Sequence, residues 1–351
     1  MRDAGLDTVL DIQELLDRVL SIHAVIRDAV VAASEAQSIE DLAAADDSHE
    51  GDTIFAVDRI SEELLLTLVG EHLGDRWPLV LIAEGLHDTG LGPGIVTVPA
   101  GLDPADAVIR VIVDPIDGTR GLMYQKRSAW ILTGVAPDRG AATALSDVVL
   151  AVQTEIPLVK QTQSDVLWAI RGGGMQAQRY DRRTGESVPL TLRRSGARTL
   201  RYGFAQISRF VPGGRADLAA IDDEVMEELL GPVVAGKAMV FEDQYICTGG
   251  QLYELIAGHD RFSADIRPLL DRLLASRGER LGLAVHPYDI CTVLIAQEAG
   301  VVVTDGRGAP FDARLDVAGA CDWVGYGSEE LRAHVEPALH NALRRRGLLQ
   351  R

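Results

Sequence analysis

Cysteine is scarce in this sequence, which argues against a fold stabilised by disulfide bonds or by structural zinc. The 351 residues contain three cysteines, Cys247, Cys291 and Cys321, which is an odd number at wide spacing. This pattern fits neither a disulfide framework nor a zinc site. The fold must therefore be stabilised by an ordinary hydrophobic core.

Long apolar runs and a basic start are also missing. No apolar run approaches the roughly 18 residues that a membrane-spanning helix needs. Asp3 and Asp7 occupy the N-terminal stretch, where a signal peptide would be basic. We therefore expect a cytoplasmic protein without a membrane partner.

Basic residues are fewer than acidic residues in this sequence. The chain has 34 Lys and Arg against 52 Asp and Glu, a formal net charge of −18. Because phosphate backbones are bound by clusters of Lys and Arg, we expect no nucleic-acid partner. The 47% hydrophobic and 25% charged residues are typical of a folded globular protein. The length allows one large domain or two of ordinary size.

Helical and β-rich patterns alternate along the chain. Apolar residues recur at helical spacing over 10–31 and again over 60–69. Short β-rich runs follow, at 79–83, 108–113, 131–135, 148–152 and 166–170. The segment 86–107 is rich in Gly and Pro, which predicts a long loop.

The second half continues the mixture. Helices are predicted over 218–229, 267–277 and 290–299, and a strand over 301–304. Helices before and after groups of strands predict a layered α/β (α+β) sandwich with two lobes, 1–190 and 191–351.

The most informative stretch is Val111–Thr119, where a hydrophobic strand ends in two acids. Asp114 and Asp117 are three residues apart, with Pro115 fixing one backbone angle and Gly118 permitting a sharp turn. An ordinary Asp-Gly turn is the alternative, and the complete nine-residue context argues against it.

This motif offers oxygen atoms to a cation and amides to an anion. The two carboxylates and the Ile116 carbonyl supply the oxygen ligands that hard cations prefer. The amides of Gly118, Thr119 and Arg120 would open a helix whose N-terminus favours a phosphate. Arg120 is interpreted either as a phosphate contact or as a surface charge.

Two further acids lie at the ends of predicted elements. Glu84 follows the strand 79–83, and Asp289 lies near the start of the helix 290–299. Taken singly, Glu84 reads as a solvated loop acid and Asp289 as a helix N-cap. Together with Asp114 and Asp117 they would form a cluster that divalent cations neutralise.

Several segments occur in the order found in a known family: 52–58, 82–84, 114–119, 171–174, 286–289 and 298–300. In them the sequence resembles the inositol monophosphatase superfamily of Mg²⁺-dependent, lithium-sensitive phosphatases. That superfamily includes fructose bisphosphatases and bisphosphate nucleotidases. The resemblance implies a layered αβαβα sandwich, a homodimer, and an N-terminal lobe that carries most of the metal ligands. The C-terminal lobe would carry Asp289 and the elements that determine substrate specificity.

The resemblance also implies roles for individual residues. Glu84, Asp114 and the Ile116 carbonyl would bind one Mg²⁺, and Asp114, Asp117 and Asp289 a second. A weaker third ion would lie near Glu84. Thr119 and Asp58 would orient or deprotonate the attacking water. The implied catalytic set is Asp58, Glu84 and Thr119, with Gly118, Thr119 and Arg120 binding the phosphate of a small phosphate ester.

The implied activity is hydrolysis of a small polyol or sugar phosphate. Arg120-Gly121-Leu122 resembles the bisphosphate nucleotidases, so 3′(2′),5′-bisphosphate nucleotidase activity is the alternative. A non-catalytic member that binds metal or a partner protein is the second alternative. Tyr288 stands where the family usually has Trp, and no acid corresponding to the inositol-binding carboxylate precedes His286. These departures argue against assigning inositol itself as the substrate.

Overall fold

The computed structural model describes residues 11–36, 45–46, 54–86 and 88–349. For 45–46 and 54–63 the description covers the backbone and not the side chains. By internal contacts the chain divides into two units. The first comprises 1–191, 287–295 and 313–319, and the second comprises 192–286, 296–312 and 320–351.

The first unit is built on an eight-stranded mixed sheet in the order β10-β9-β8-β7-β6-β5-β3-β4. All neighbouring strands are antiparallel except β3 and β5, which run parallel. The strands are β3 Leu79–Ala83, β4 Ile95–Val98, β5 Ile109–Asp117, β6 Ala129–Pro137, β7 Leu150–Ile156, β8 Gln163–Ile170, β9 Met175–Asp181 and β10 Glu186–Pro189. A separate two-stranded pairing joins β1 Ala45–Asp46 to β2 Ile54–Phe55.

Two helices cover one face of this sheet. Helix α1 spans Ile12–Ala36 and α2 spans Ala56–His72, which agrees with the two helices predicted from apolar spacing. The buried side chains of α1 recur every three or four residues and join the core above the sheet, as Leu15, Val19, Ile22 and Ile26 show. Alternate residues of β5, such as Val111 and Val113, face the same core.

The segment 86–107 is not entirely a loop, which corrects the prediction from its composition. It contains β4, an edge strand paired antiparallel with β3, and a short 3₁₀ turn at Pro104–Asp106. Gly and Pro still bound the strand on both sides, at Gly94 and Pro99. Four residues between such breakers are too few to produce a clear alternating pattern.

The second unit contains a four-stranded sheet in the order β11-β12-β14-β13. Its strands are β11 Phe204–Ile207, β12 Asp260–Asp265, β13 Val302–Thr304 and β14 Trp323–Tyr326. Its helices are α4 Arg215–Leu230, α5 Thr248–Ile256, α6 Asp271–Ser276 and α8 Glu329–Arg345. In the remaining helix, α7 Val293–Glu298, residues up to 295 are assigned to the first unit and those from 296 to the second.

Side chains of this sheet alternate between two packed faces. Phe262, Val324 and Tyr326 belong to a core shared with α4 and α8. Ser263 points to the other face, where its hydroxyl donates to Gln251 of α5 at 3.3 Å. The unit is therefore a sheet with helices on both faces.

The predicted α/β class is confirmed by these two sheets and their helices. Residue 289 belongs by contacts to the first unit, rather than to the C-terminal lobe in which the sequence interpretation placed it. The three cysteines all lie in the described part of the chain, and none forms a disulfide. Within the described residues, no helix is long and apolar enough to cross a membrane.

Candidate active site

The carboxyl end of β5 contains a β-bulge that sets the directions of two acids. Asp114 lies opposite Leu132 of β6, and Asp117 lies opposite Trp130. Three steps along β5 therefore correspond to two steps along β6, so one residue of β5 is extra. Because Leu132 and Trp130 point to the same face of the sheet, Asp114 and Asp117 do so as well. A regular strand would send residues three apart to opposite faces.

The segment 287–295 packs on that same face and brings in Asp289. The hydroxyl of Thr292 donates a hydrogen bond of 2.9 Å to the side-chain oxygen of Gln153 in β7. A Cβ placed on Gly134 of β6 would lie only 2.9 Å from the carbonyl oxygen of Cys291. The missing side chain at Gly134 lets this segment approach the sheet closely.

Asp289 lies in a turn four positions before Val293, the first residue of α7. An N-cap residue would immediately precede the helix, so the N-cap interpretation of Asp289 is wrong. The predicted start of the helix at residue 290 was early by three residues, because 287–292 forms turns.

Asp114, Asp117 and Asp289 form a compact cluster. One carboxylate oxygen from each lies within 4.8 Å of the other two. Asp114 is 3% exposed and Asp117 is 6% exposed. Burial raises the pKa of Asp114 well above its usual range, and the charges of Asp117, Asp289 and Glu84 raise it further. Three ionised carboxylates at this density are unfavourable unless a cation neutralises them.

The cluster fits a hard divalent cation. Every donor is a carboxylate oxygen, the ligand type preferred by Mg²⁺. Two oxygens on opposite sides of one Mg²⁺ are separated by about 4.2 Å, twice the usual bond length. The three oxygens lie within 4.8 Å of one another, which is close to that value, so their spacing is compatible with one shared cation.

Glu84 lies beside this cluster, directly after β3. Its charge raises the pKa of Asp114, yet it is not one of the three acids whose oxygens meet within 4.8 Å. Its carboxylate accepts a hydrogen bond from the hydroxyl of Tyr288, which is 5% exposed. Burial, and then the charges of Asp289, Glu84 and Asp114, raise the pKa of this tyrosine far above its ordinary value. Tyr288 therefore holds its proton and acts as a donor.

The bulge also orients the Ile116 carbonyl. The Ile116 amide donates to Asp114 Oδ1 at 3.0 Å, which fixes that carboxylate against the backbone. The Ile116 carbonyl accepts a hydrogen bond of 2.8 Å from the Thr119 hydroxyl. A carbonyl oxygen has two lone pairs, so this bond is compatible with a metal contact.

Gly118 makes the turn that follows. Its φ is 94°, in the left-handed region that glycine adopts without strain. The helix that begins after it, α3 Thr119–Met123, has only five residues. Arg120 is half-buried in its first turn. The phosphate-binding role of Gly118, Thr119 and Arg120 stays a prediction, as does the catalytic role of Asp58. The backbone of Asp58 belongs to α2, and its side chain lies outside the described residues.

One participant was missed by sequence reasoning. In the sequence Tyr288 is only a departure from the usual Trp, and no local pattern predicts its contact with Glu84. The signal was present, because a Trp-to-Tyr change replaces a ring nitrogen donor with a hydroxyl of different reach. Locating its acceptor required the tertiary structure.

Comparison with solved structures identifies the fold. The extragenic suppressor protein suhB from Bartonella henselae matches with a TM-score of 0.62 and 16% identity, covering 93% of this chain and 98% of that one. Fructose-1,6-bisphosphatase from Leishmania major matches with a TM-score of 0.65 and 13% identity, covering 96% and 97%. The Thermotoga maritima IMPase matches with a TM-score of 0.57 and 16% identity, covering 94% and 99%.

These matches confirm the predicted inositol-monophosphatase-like fold over nearly the whole chain. No protein-family model matches the sequence. No curated protein matches it either. At 13–16% identity the likeness is one of fold, so the activity has to be argued from the site.

Proposed function

We propose that this protein is a Mg²⁺-dependent phosphomonoesterase that hydrolyses a small polyol or sugar phosphate. The proposal rests on the three carboxylates of Asp114, Asp117 and Asp289, buried or half-buried, with oxygens within 4.8 Å of one another. The names of the solved relatives, which include a fructose-1,6-bisphosphatase and an IMPase, support the same reaction class.

The acids would divide between two sites, with Glu84, Asp114 and the Ile116 carbonyl on one side and Asp114, Asp117 and Asp289 on the other. These residues would hold two Mg²⁺ ions, or three with a weaker one near Glu84, whose positive charge would stabilise the phosphoryl group, the attacking water and the leaving oxygen. Asp114 would bind ions in both sites, and the Ile116 amide, which donates to its Oδ1 at 3.0 Å, would hold the carboxylate in place for this.

Thr119 would position the attacking water. Its proton is directed to the Ile116 carbonyl at 2.8 Å, so toward a water its oxygen acts as an acceptor. Asp58 would take the proton of that water, as the resemblance implies. The amides of Gly118, Thr119 and Arg120, together with the Arg120 guanidinium, would hold the phosphate against the ions.

The finer assignments belong to this proposal. They are Mg²⁺ as the ion, inhibition by Li⁺, a homodimer and a cytoplasmic location. A 3′(2′),5′-bisphosphate nucleotide is the alternative substrate. A chain that binds metal without turnover is the remaining alternative.

Phosphate release with Mg²⁺ tests the proposal directly. The substrates are inositol 1-phosphate, fructose 1,6-bisphosphate, histidinol phosphate and adenosine 3′,5′-bisphosphate, each with and without Li⁺. We expect turnover of a polyol or sugar phosphate that Li⁺ inhibits. Selective turnover of the adenosine compound would favour the nucleotidase instead.

A pair of variants distinguishes the site from a contaminating activity. Asp117→Asn should lower kcat by at least about a hundredfold, because it removes a charged ligand of the cluster. Asp106→Asn is the matched control, since Asp106 is exposed in the 3₁₀ turn of the same unit. The proposed hydrolase activity would be refuted if Asp117→Asn and Asp106→Asn released phosphate at equal rates, or if no substrate released phosphate.

A further inference from the structure

The second unit contains a large cavity that the proposed reaction does not use. Its volume is about 1090 Å³, slightly above the roughly 300–1,000 Å³ of typical small-molecule sites. It lies between the start of α6, the turn at 305–308 and the end of α8 with the residues that follow it. Every residue that lines it belongs to the second unit.

The charge of this cavity is opposite to that of the chain. Four arginines line it, Arg272, Arg307, Arg344 and Arg346, together with His340, against two acids, Asp271 and Asp322. The chain as a whole carries −18. A local excess of arginine on such a protein produces a positive region that attracts anions.

Much of this positive charge is not neutralised by acidic partners within the described residues. Among the described residues, the guanidinium groups of Arg272 and Arg344 have no hydrogen-bond or ion-pair partner, and both side chains are exposed. Arg346 binds Glu224 through Nη2, while its buried Nε has no acceptor in the described structure. Arg307 lies 3.6 Å from Asp322, whose Oδ2 already accepts the Gly306 amide at 2.7 Å.

The rest of the lining is apolar. Five half-buried leucines form it, Leu269, Leu273, Leu281, Leu348 and Leu349. Four of these five also pack against the hydrophobic core of the unit, so the wall is anchored. Guanidinium groups bind phosphate through paired N–H donors, and leucine side chains favour an apolar group beside it.

We propose that this cavity, which we call the arginine cavity, binds a small phosphate ester that carries an apolar group. The site lies wholly in the second unit and shares no residue with the acid cluster. Its occupation therefore requires neither Mg²⁺ nor turnover, and the proposal does not depend on the proposed function.

A calorimetric titration tests this inference with phenylphosphonate, a non-hydrolysable probe with one phosphoryl and one apolar group. We expect binding in EDTA, weakening as salt is raised. Phenylphosphonate should bind at least about fivefold more tightly than inorganic phosphate, because only the former contacts the leucines. Absence of binding, or equal affinity for the two anions, would contradict the proposal.

Variants separate the arginine cavity from the general charge of α8. Arg272→Gln with Arg344→Gln should weaken binding by at least about tenfold, through loss of charged donors. Arg345→Gln is the matched control, because Arg345 is also in the last turn of α8 but does not line the cavity. It pairs with Glu224 at 2.9 Å instead. We expect that control to bind within about twofold of wild type. The assignment would be refuted if phenylphosphonate affinity fell equally in the double variant and in Arg345→Gln, or if it did not fall in the double variant.

Discussion

At the scale of single residues, the contact between Tyr288 and Glu84 connects the turn at 287–292 to the acid that follows β3. The tyrosine hydroxyl donates to the carboxylate and is buried against three acids. Removing a partner that orients a metal ligand usually lowers metal affinity by about 10–100-fold. We therefore predict that Tyr288→Phe weakens Mg²⁺ binding by about tenfold. Calorimetric titration with Mg²⁺ measures this.

The control for that measurement is Tyr326→Phe. Tyr326 is also a buried tyrosine, but it belongs to β14 in the second unit. This variant should lose some stability and keep its metal affinity. Unchanged Mg²⁺ binding in Tyr288→Phe would show that the tyrosine does not position Glu84.

A second residue-scale prediction concerns pH and His23 of α1. Its ring nitrogens lie 2.8 Å from Thr133 Oγ1 and 3.0 Å from Thr154 Oγ1. Burial, and then the charge of Arg27, lower the pKa of His23 from 6.5 to about 3. At pH values between about 3 and 6.5, the unfolded chain binds a proton at His23 that the folded chain does not bind. Stability therefore falls as pH falls through this window, by roughly 4–5 kcal/mol in total.

Two measurements check the pH prediction. The imidazole resonances of His23 should not titrate above about pH 4, following the depressed pKa. At pH 5, unfolding of the wild type should take up about one proton more than unfolding of His23→Gln. A His23 resonance that titrates near 6.5 would contradict the assignment, whether or not the variant folds.

At the scale of elements, a buried ion pair connects the end of β12 to the turn before α6. Arg267 donates to both carboxylate oxygens of Asp265, and the two side chains are 2% and 1% exposed. The same guanidinium donates to the Leu283 carbonyl at 2.8 Å and lies 4.6 Å from the ring centre of Phe210. One side chain thus joins three segments of the second unit.

Breaking this pair should be costly. Arg267→Met leaves Asp265 buried without its partner, which typically costs about 3–5 kcal/mol. Replacing both residues, as Asp265→Leu with Arg267→Met, removes both charges and should recover most of that loss. Hydrogen exchange of the β12 amides reports on this unit separately. The prediction would be contradicted if Arg267→Met were as stable as the wild type, or if Asp265→Leu with Arg267→Met were less stable than Arg267→Met alone.

Elements with a strong local pattern could be predicted from the sequence, and those that depend on tertiary contacts could not. Helix α1 followed from its apolar spacing, and strand β3 followed from a continuous run of five apolar residues, all of which are buried. The bulge in β5 could not be predicted, since Asp114 and Asp117 on one face contradict the simple alternation of a strand. Only the pairing with β6 decides the direction of Asp117.

The same distinction applies to the site. Acids at the ends of strands predicted a cluster, because strand ends place side chains at one edge of a sheet. The approach of Asp289 depends instead on a close contact at Gly134 and on the bond between Thr292 and Gln153. Both contacts join residues more than 130 positions apart in the chain, beyond the reach of any local pattern.

At the scale of the whole molecule, the net charge of −18 poses a problem for an enzyme that binds phosphate esters. Without metal, the cluster of Asp114, Asp117 and Asp289 repels an anion. The arginine cavity, by contrast, is positive with or without metal. The two proposed sites therefore predict different metal requirements for the same anionic probe.

The number of bound anions gives a joint test of the two sites. Phenylphosphonate should bind once per chain in EDTA and twice with Mg²⁺, because Mg²⁺ makes only the acid cluster attractive to anions. Asp117→Asn should remove the Mg²⁺-dependent binding alone, and Arg272→Gln with Arg344→Gln the other alone. If each chain binds only one phenylphosphonate and binds it only in the presence of Mg²⁺, the arginine cavity is refuted. If each chain binds only one phenylphosphonate and binds it equally well in EDTA and in Mg²⁺, the metal site is refuted. The opposed charges of the two sites thus let a single titration separate two independent hypotheses.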